Sequence, residues 1–187
     1  MHGIKFMQLA KLQDFLCRPR ENEPQIRESY QRLGLDLQLL DKTSTTMHLA
    51  TPRVQAHTQG LYCFVLSHAI LLNTIMIRAL EPRSVILAQE AEKMIDTVLI
   101  LAKDSLHFRP VGSSVAATML IAVWACASSR RPEIEGILTD MMRDFPMADW
   151  RESAQWLDDA MHYHCKTPER PTVLPVRNSQ STACVVM

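Results

Sequence analysis

Apolar residues return every third or fourth position from the beginning of the chain. Phe6, Leu9, Leu12, Phe15 and Leu16 fall on one stripe of a helix over 4–16, and the Cys17-Arg18-Pro19-Arg20 segment predicts its end. A second stripe, Ile26, Tyr30, Leu33, Leu37 and Leu40, follows Pro24, a residue tolerated in a first helical turn. Gly34 interrupts it at a propensity cost of about 1 kcal/mol. Asp41 to Thr46 is polar, Thr-rich and aperiodic, which predicts a break.

Thr51-Pro52 then offers an N-cap and a first-turn proline for a long central helix that Glu81-Pro82 stops. Its later part is apolar on nearly every side, the pattern of a helix enclosed by others. Ser84 can cap the next helix. There Ile86, Leu87, Met94, Ile95, Val98, Leu99, Ala102 and Leu106 make a broad inward face, and Glu90, Glu92, Lys93 and Asp96 are left for solvent.

Arg109 to Ser114 breaks the pattern, and Val115 to Ala127 resumes it as a short, very apolar helix carrying Trp124. Pro132 opens a helix with Ile134, Ile137, Leu138, Met141 and Met142. Phe145-Pro146 turns the chain into a last helix around Trp150, Trp156, Leu157 and Met161. No segment requires a strand. The expected fold class is all-α: an irregular multi-helix bundle over 1–165, with a flexible, disordered C-terminal tail over 166–187. Pro168, Pro171 and Pro175 stand in that tail among Asn, Ser and Thr.

Composition narrows the function classes. With 47% hydrophobic and 21% charged residues there is material for one core and a soluble surface. Twenty Lys and Arg offset twenty Asp and Glu, so no excess positive field draws the chain to phosphates, and direct DNA binding by this chain alone is disfavoured. The Arg130-Arg131 pair reads as a solvated helix end.

Five scattered cysteines, Cys17, Cys63, Cys126, Cys165 and Cys184, do not make a disulfide framework. Two of them lie in apolar helical runs, where a thiol packs as a small hydrophobe. Together with an N-terminus unlike a secretory signal, they predict a reducing, intracellular setting. The richest apolar stretch, Leu61 to Ile77, is interrupted by Ser67, His68, Asn73 and Thr74. It falls short of the roughly 20 apolar residues a membrane crossing needs, so it reads as a buried helix.

Candidate chemistry is sparse. The five glycines form no phosphate-binding loop, and there is no His-Glu-x-x-His, Gly-x-Ser-x-Gly or Cys-x-x-Cys. No catalytic, cofactor-binding or metal-ligating residue is therefore expected. The best metal candidates, His162, His164 and Cys165 with Asp158 and Asp159 one turn earlier, have suitable donors. Residues 162 and 164 nevertheless point about 200° apart on one helix, which favours a solvated helix terminus. His48, His57, His68 and His107 stand alone without an adjacent nucleophile. Met119, Met141 and Met142 fit core packing better than an adaptable groove.

One terminal motif is more specific. Cys184-Val185-Val186-Met187 matches the prenylation pattern, with a terminal methionine that favours farnesyl. The tail beside it is not polybasic, and a single lipid gives only weak membrane association.

The run from Leu61 to Ala127 resembles the fungal-specific transcription-factor regulatory domain, the helical region that follows a binuclear zinc cluster in many fungal regulators. The residues concerned are Ser67-His68-Ala69-Ile70-Leu71-Leu72-Asn73, Ala88-Gln89-Glu90-Ala91, Phe108-Arg109-Pro110-Val111-Gly112 and the Trp124 helix, with the Trp150 and Trp156-Leu157 segment as a continuation. The resemblance implies regulation of transcription, often of a metabolic gene cluster, in the nucleus, through effector, protein-partner or homo-oligomer contacts. The six-cysteine zinc cluster that reads DNA in that family is not among these residues. Two other readings stay open: a farnesylated adaptor on the cytoplasmic face of a membrane, and an enzyme acting on a small apolar metabolite.

Overall fold

The helix that organises the bundle is the one whose sequence is apolar on nearly every side. In the computed structural model, which describes residues 7–44, 50–109, 111–143 and 150–166, α3 (Pro52–Ile75) runs through the middle. Val65, Leu66, Ala69, Ile70, Leu71, Leu72 and Ile75 are all buried along it. Helices α2 (Glu23–Ser44), α4 (Val85–Ser105) and α5 (Val111–Cys126) pack against it. α5 in turn contacts α6 (Arg131–Met141) and α7 (Trp150–Lys166), and α1 (Met7–Cys17) closes against α7 and α2.

Seven α-helices and no strand are found among the described residues, which makes the fold all-α. One hydrophobic cluster draws on all seven helices, from Phe15 on α1 to Met161 on α7. Each fully buried Leu, Ile or Met side chain in it contributes roughly 1.5–3 kcal/mol. The proposed tail over 166–187 and Cys184 lie outside the described residues, apart from the end of α7 at Lys166; so do His48 and the Phe145-Pro146 turn.

Punctuation in the sequence sets most of the boundaries. Ser84 accepts the Leu87 backbone N–H at 3.3 Å and caps α4. Pro52 and Pro132 each stand in a first helical turn. Thr51 occupies the N-cap of α3 in an extended conformation, but its hydroxyl makes no capping bond. Asn22 joins α1 to α2 by donating its amide to the carbonyls of Asp14, at 3.3 Å, and Arg18, at 3.0 Å.

Four local expectations are corrected. α2 continues to Ser44 through the polar stretch at Asp41, where the Thr43 hydroxyl donates back to the Leu39 carbonyl at 2.8 Å. α5 begins at Val111, before Val115, so the helix runs through Gly112-Ser113-Ser114. Ile86, read as inward, is 70% exposed in the first turn of α4, where the packed face has not yet begun. α3 also does not stop at an ordinary turn: Met76–Leu80 widens into a π-turn, closed by Glu81 N–H donating to the Met76 carbonyl at 2.8 Å.

With that turn the continuous rod spans Pro52–Leu80, long and apolar enough to cross a membrane by length and composition, so the shortfall read from sequence does not hold. Its apolar surface is nonetheless occupied, since 78% of its most apolar window is enclosed by neighbouring helices.

Candidate functional site

α7 carries a core stripe of Trp150, Ala154, Asp158, Met161 and Cys165, spaced four, four, three and four residues apart. Asp158 is the charged member, and its side chain is only 7% exposed. A buried carboxylate is tolerable only when paired and hydrogen-bonded, and three elements supply the partners. Arg78, from the π-turn, donates Nη1 to Oδ1 at 3.2 Å. Arg131, the first residue of α6, donates Nη2 to Oδ2 at 2.5 Å. His162, one turn along α7, places Nδ1 2.9 Å from Oδ1 and 2.9 Å from the Asp158 carbonyl, and 3.1 Å from Arg78 Nη1. That nitrogen donates to Asp158 in one tautomer and accepts from Arg78 in the other.

Burial pushes the Asp158 carboxyl up, but Arg131 and Arg78 outweigh it and hold the group below the usual carboxylate range. It therefore stays ionised at neutral pH with both oxygens engaged, the state of a structural clamp rather than of a proton donor. Arg131 is fixed from a second side. Its guanidinium lies over the Trp124 ring, 4.0 Å from the centroid, and its Nε donates to the Trp124 carbonyl at 3.2 Å. Trp124 meets Trp150 edge to face at 6.4 Å and donates its indole N–H to Glu135 at 3.0 Å. The Arg130-Arg131 pair is thus no solvated helix end: Arg130 also bonds Asp96, at 2.6 Å, and Glu133, at 2.7 Å.

The structure separates the His162, His164 and Cys165 set. His162 faces Asp158 and Arg78, His164 faces Cys17, and Cys165 is buried in the stripe. Asp159 accepts from the Gln155 amide at 2.9 Å. Burial pushes the Cys165 and Cys126 thiols up to about 11 and Cys63 up to about 12, so all three are protonated at neutral pH.

A second polar cluster ties α2, α3 and α4 together. Tyr30 donates to Glu90 at 2.7 Å, and Asn73, fully buried, donates its amide to the Tyr30 oxygen at 3.0 Å and to the Leu87 carbonyl at 3.1 Å. Glu90, left to solvent on pattern alone, is thereby a partner between helices. Burial raises the Tyr30 phenol well above its ordinary range.

Of the lone histidines, His68 donates Nδ1 to the Phe64 carbonyl at 2.7 Å and leaves Nε2 buried without a partner. His107 donates to the Asp104 carbonyl at 3.0 Å on the surface, and His57 is exposed. Met141 is in the core, and Met119 and Met142 pack against it.

Polarity within the bundle contrasts with apolar side chains outside it. Leu35 and Leu39 on α2, Val85 and Ile86 on α4, and Trp156 and Tyr163 on α7 are all exposed. Trp156, expected to help anchor the last helix, points away from the core stripe and is 49% exposed; Tyr163 is 55% exposed two turns later on the same side. A shallow open recess lined by Val85, Ala88, Gln89, Glu92 and Lys93 runs along α4. Compared with models of protein families, with curated proteins and with solved structures, the chain matches none.

Proposed function

We propose that this chain is a regulator-like helical domain that acts in the nucleus by contact with a protein partner, without chemistry of its own. The observation that carries the reading is the outer side of α7, where Trp156 and Tyr163 stand exposed two turns apart. The opposite side of the same helix is clamped through Asp158 to Arg78 and Arg131. Aromatic side chains held on a rigid backbone lose little entropy on contact and are enriched at the centres of interfaces. The resemblance of the Leu61 to Ala127 run to fungal regulatory domains gives that contact a context in transcription.

The test is to tether the chain to a heterologous DNA-binding module in a fungal host and follow a reporter. Altered reporter output that disappears in a folded Trp156→Glu, Tyr163→Glu double variant is expected. Unchanged output from the tethered wild type, or a double variant as active as the parent, would sink the reading. A fluorescently tagged chain should accumulate in the nucleus; steady exclusion from it would count equally against the proposal.

A further inference from the structure

Aromatic and acidic residues alternate along the outer side of α7. Glu152, Trp156, Asp159 and Tyr163 follow one another at spacings of four, three and four, which puts them on one stripe opposite the core stripe. All four are exposed. At 1.5 Å of rise per residue Tyr163 and Trp156 stand about 10 Å apart along the axis, with Glu152 about 6 Å beyond Trp156. Tyr163 packs edge to face on His164, with centroids 5.1 Å apart, and Asp159 accepts from the Gln155 amide at 2.9 Å, so the stripe is held in place from within its own helix.

The chain that leaves α7 at Lys166 carries a complementary pattern. Residues 170–177, outside the described part of the chain, read Arg-Pro-Thr-Val-Leu-Pro-Val-Arg: prolines and aliphatic residues, closed at each end by an arginine and containing no acid. In the polyproline conformation that prolines favour, each residue rises about 3.1 Å, so Pro171 and Pro175 are about 12 Å apart and Arg177 about 6 Å further on. Run back along α7, this spacing sets Pro171 at Tyr163, Pro175 at Trp156 and Arg177 at Glu152. From Lys166 to Pro171 the chain spans up to about 16 Å. That is enough to reverse direction and return the roughly 5 Å from Lys166 to Tyr163.

We infer that residues 170–177 lie over Trp156 and Tyr163 and cover, within the same molecule, the face read above as a partner surface; the regulatory meaning of the cover rests on that reading. Proline-rich segments dock on aromatic rings at low entropic cost because their extended form is already set. The two arginines meet a stripe whose charged members are both carboxylates, which fixes the segment's place on it. A short tether gives the segment an effective concentration on the order of mM, so a contact too weak to form between separate molecules is populated within one. A partner that binds the same rings more tightly displaces it.

The test is NMR of the isotopically labelled full chain. The Trp156 indole signals are those that Trp156→Phe removes, and nuclear Overhauser contacts are sought from that ring to the prolines of 170–177. Contacts to Pro175 that do not change on dilution are expected. The Arg170→Glu, Arg177→Glu double variant, with helicity unchanged by circular dichroism, should lose at least about half of their intensity, and adding Glu152→Arg and Asp159→Arg should restore it. No contact from Trp156 or Tyr163 to the segment, contact that fades on dilution and so comes from a second copy, or full intensity after the charge reversal would each overturn the inference. These contacts need no partner, so a silent tethered reporter beside persistent contacts sinks the partner reading alone. Where the reporter responds, the charge-reversed double variant should raise its output about twofold, as for a face covered half of the time; unchanged output there overturns the regulatory role.

Discussion

Arg131 holds Asp158 from a position fixed by Trp124: its Nη2 reaches Oδ2 at 2.5 Å while its guanidinium rests 4.0 Å from the indole centroid. One side chain thereby links the end of α5, the start of α6 and the middle of α7. Removing the carboxylate strands two partly buried guanidiniums, whose side chains are 21% and 25% exposed. Asp158→Ala is expected to lower unfolding free energy by about 3 kcal/mol, the low end for breaking a buried pair because both arginines keep some solvent. Urea denaturation checks this. A loss no larger than that of a surface ion pair, under about 1 kcal/mol, would show that the clamp contributes little.

The same carboxylate gives stability an acid edge. Its folded-state pKa lies below the unfolded value, so its contribution is fully present above about pH 4 and is lost as pH falls through the folded pKa. His68 acts in a milder window. Burial lowers its folded pKa, so its neutral form is favoured in the fold. The associated stability is present above about pH 6.5 and declines as pH falls from there through the folded value. Melting temperature followed from pH 8 to pH 3 should show both declines, with the upper one reduced in a folded His68→Gln variant; His164, whose folded pKa burial also lowers, supplies a remaining part.

Two helical glycines have open space around them. A Cβ built at Gly34 or Gly136 meets nothing within 4 Å, so alanine at either position improves helix propensity without a clash. Gly34→Ala and Gly136→Ala should each raise stability by about 0.5–1 kcal/mol. Their effects should add, since they lie in separate helices. Thermal unfolding of the two single variants and the double variant checks both the sign and the additivity.

Thiol reactivity should follow burial. Cys63 and Cys165 are buried, and the Cys63 and Cys126 thiols are pushed up to about 12 and about 11. Iodoacetamide at neutral pH should therefore label Cys17 well before these three in the native protein, and all of them in urea. Peptide mapping by mass spectrometry distinguishes the order, and early labelling of Cys63 would contradict the packing of α3.

Much of the fold was legible because apolar stripes and punctuation act locally. Ser84, Pro52 and Pro132 mark helix starts by what their side chains do to the first turn, whatever the rest of the chain does. What was illegible depends on distant partners. Nothing near Asp158 in sequence says that Arg78 and Arg131 will close on it, and nothing near Glu90 announces Tyr30, sixty residues earlier. Arg130-Arg131 looked solvated because a pair of arginines carries no sign of a carboxylate across the bundle. His162 and His164 were correctly set apart by helical geometry. The facing of His164 by Cys17 arises only when α1 closes on α7. α5 began early because an apolar helix enclosed by its neighbours overrides the turn preference of Gly112-Ser113-Ser114.

The widened turn at Met76–Leu80 acts as a phase shifter within a single rod. A π-turn carries one residue more than an α-turn, so the residues within Met76–Leu80, Arg78 among them, leave the register that α3 would have continued. That offset lets a helix whose whole length serves the core present Arg78 sideways to α7. Deleting Ile77, just before Arg78, would make the rod more regular, yet it would turn Arg78 about 100° away from Asp158 and leave the carboxylate half-paired. The irregular stretch of α3 is thus where the helix changes its audience, from the hydrophobic interior to the last helix of the bundle.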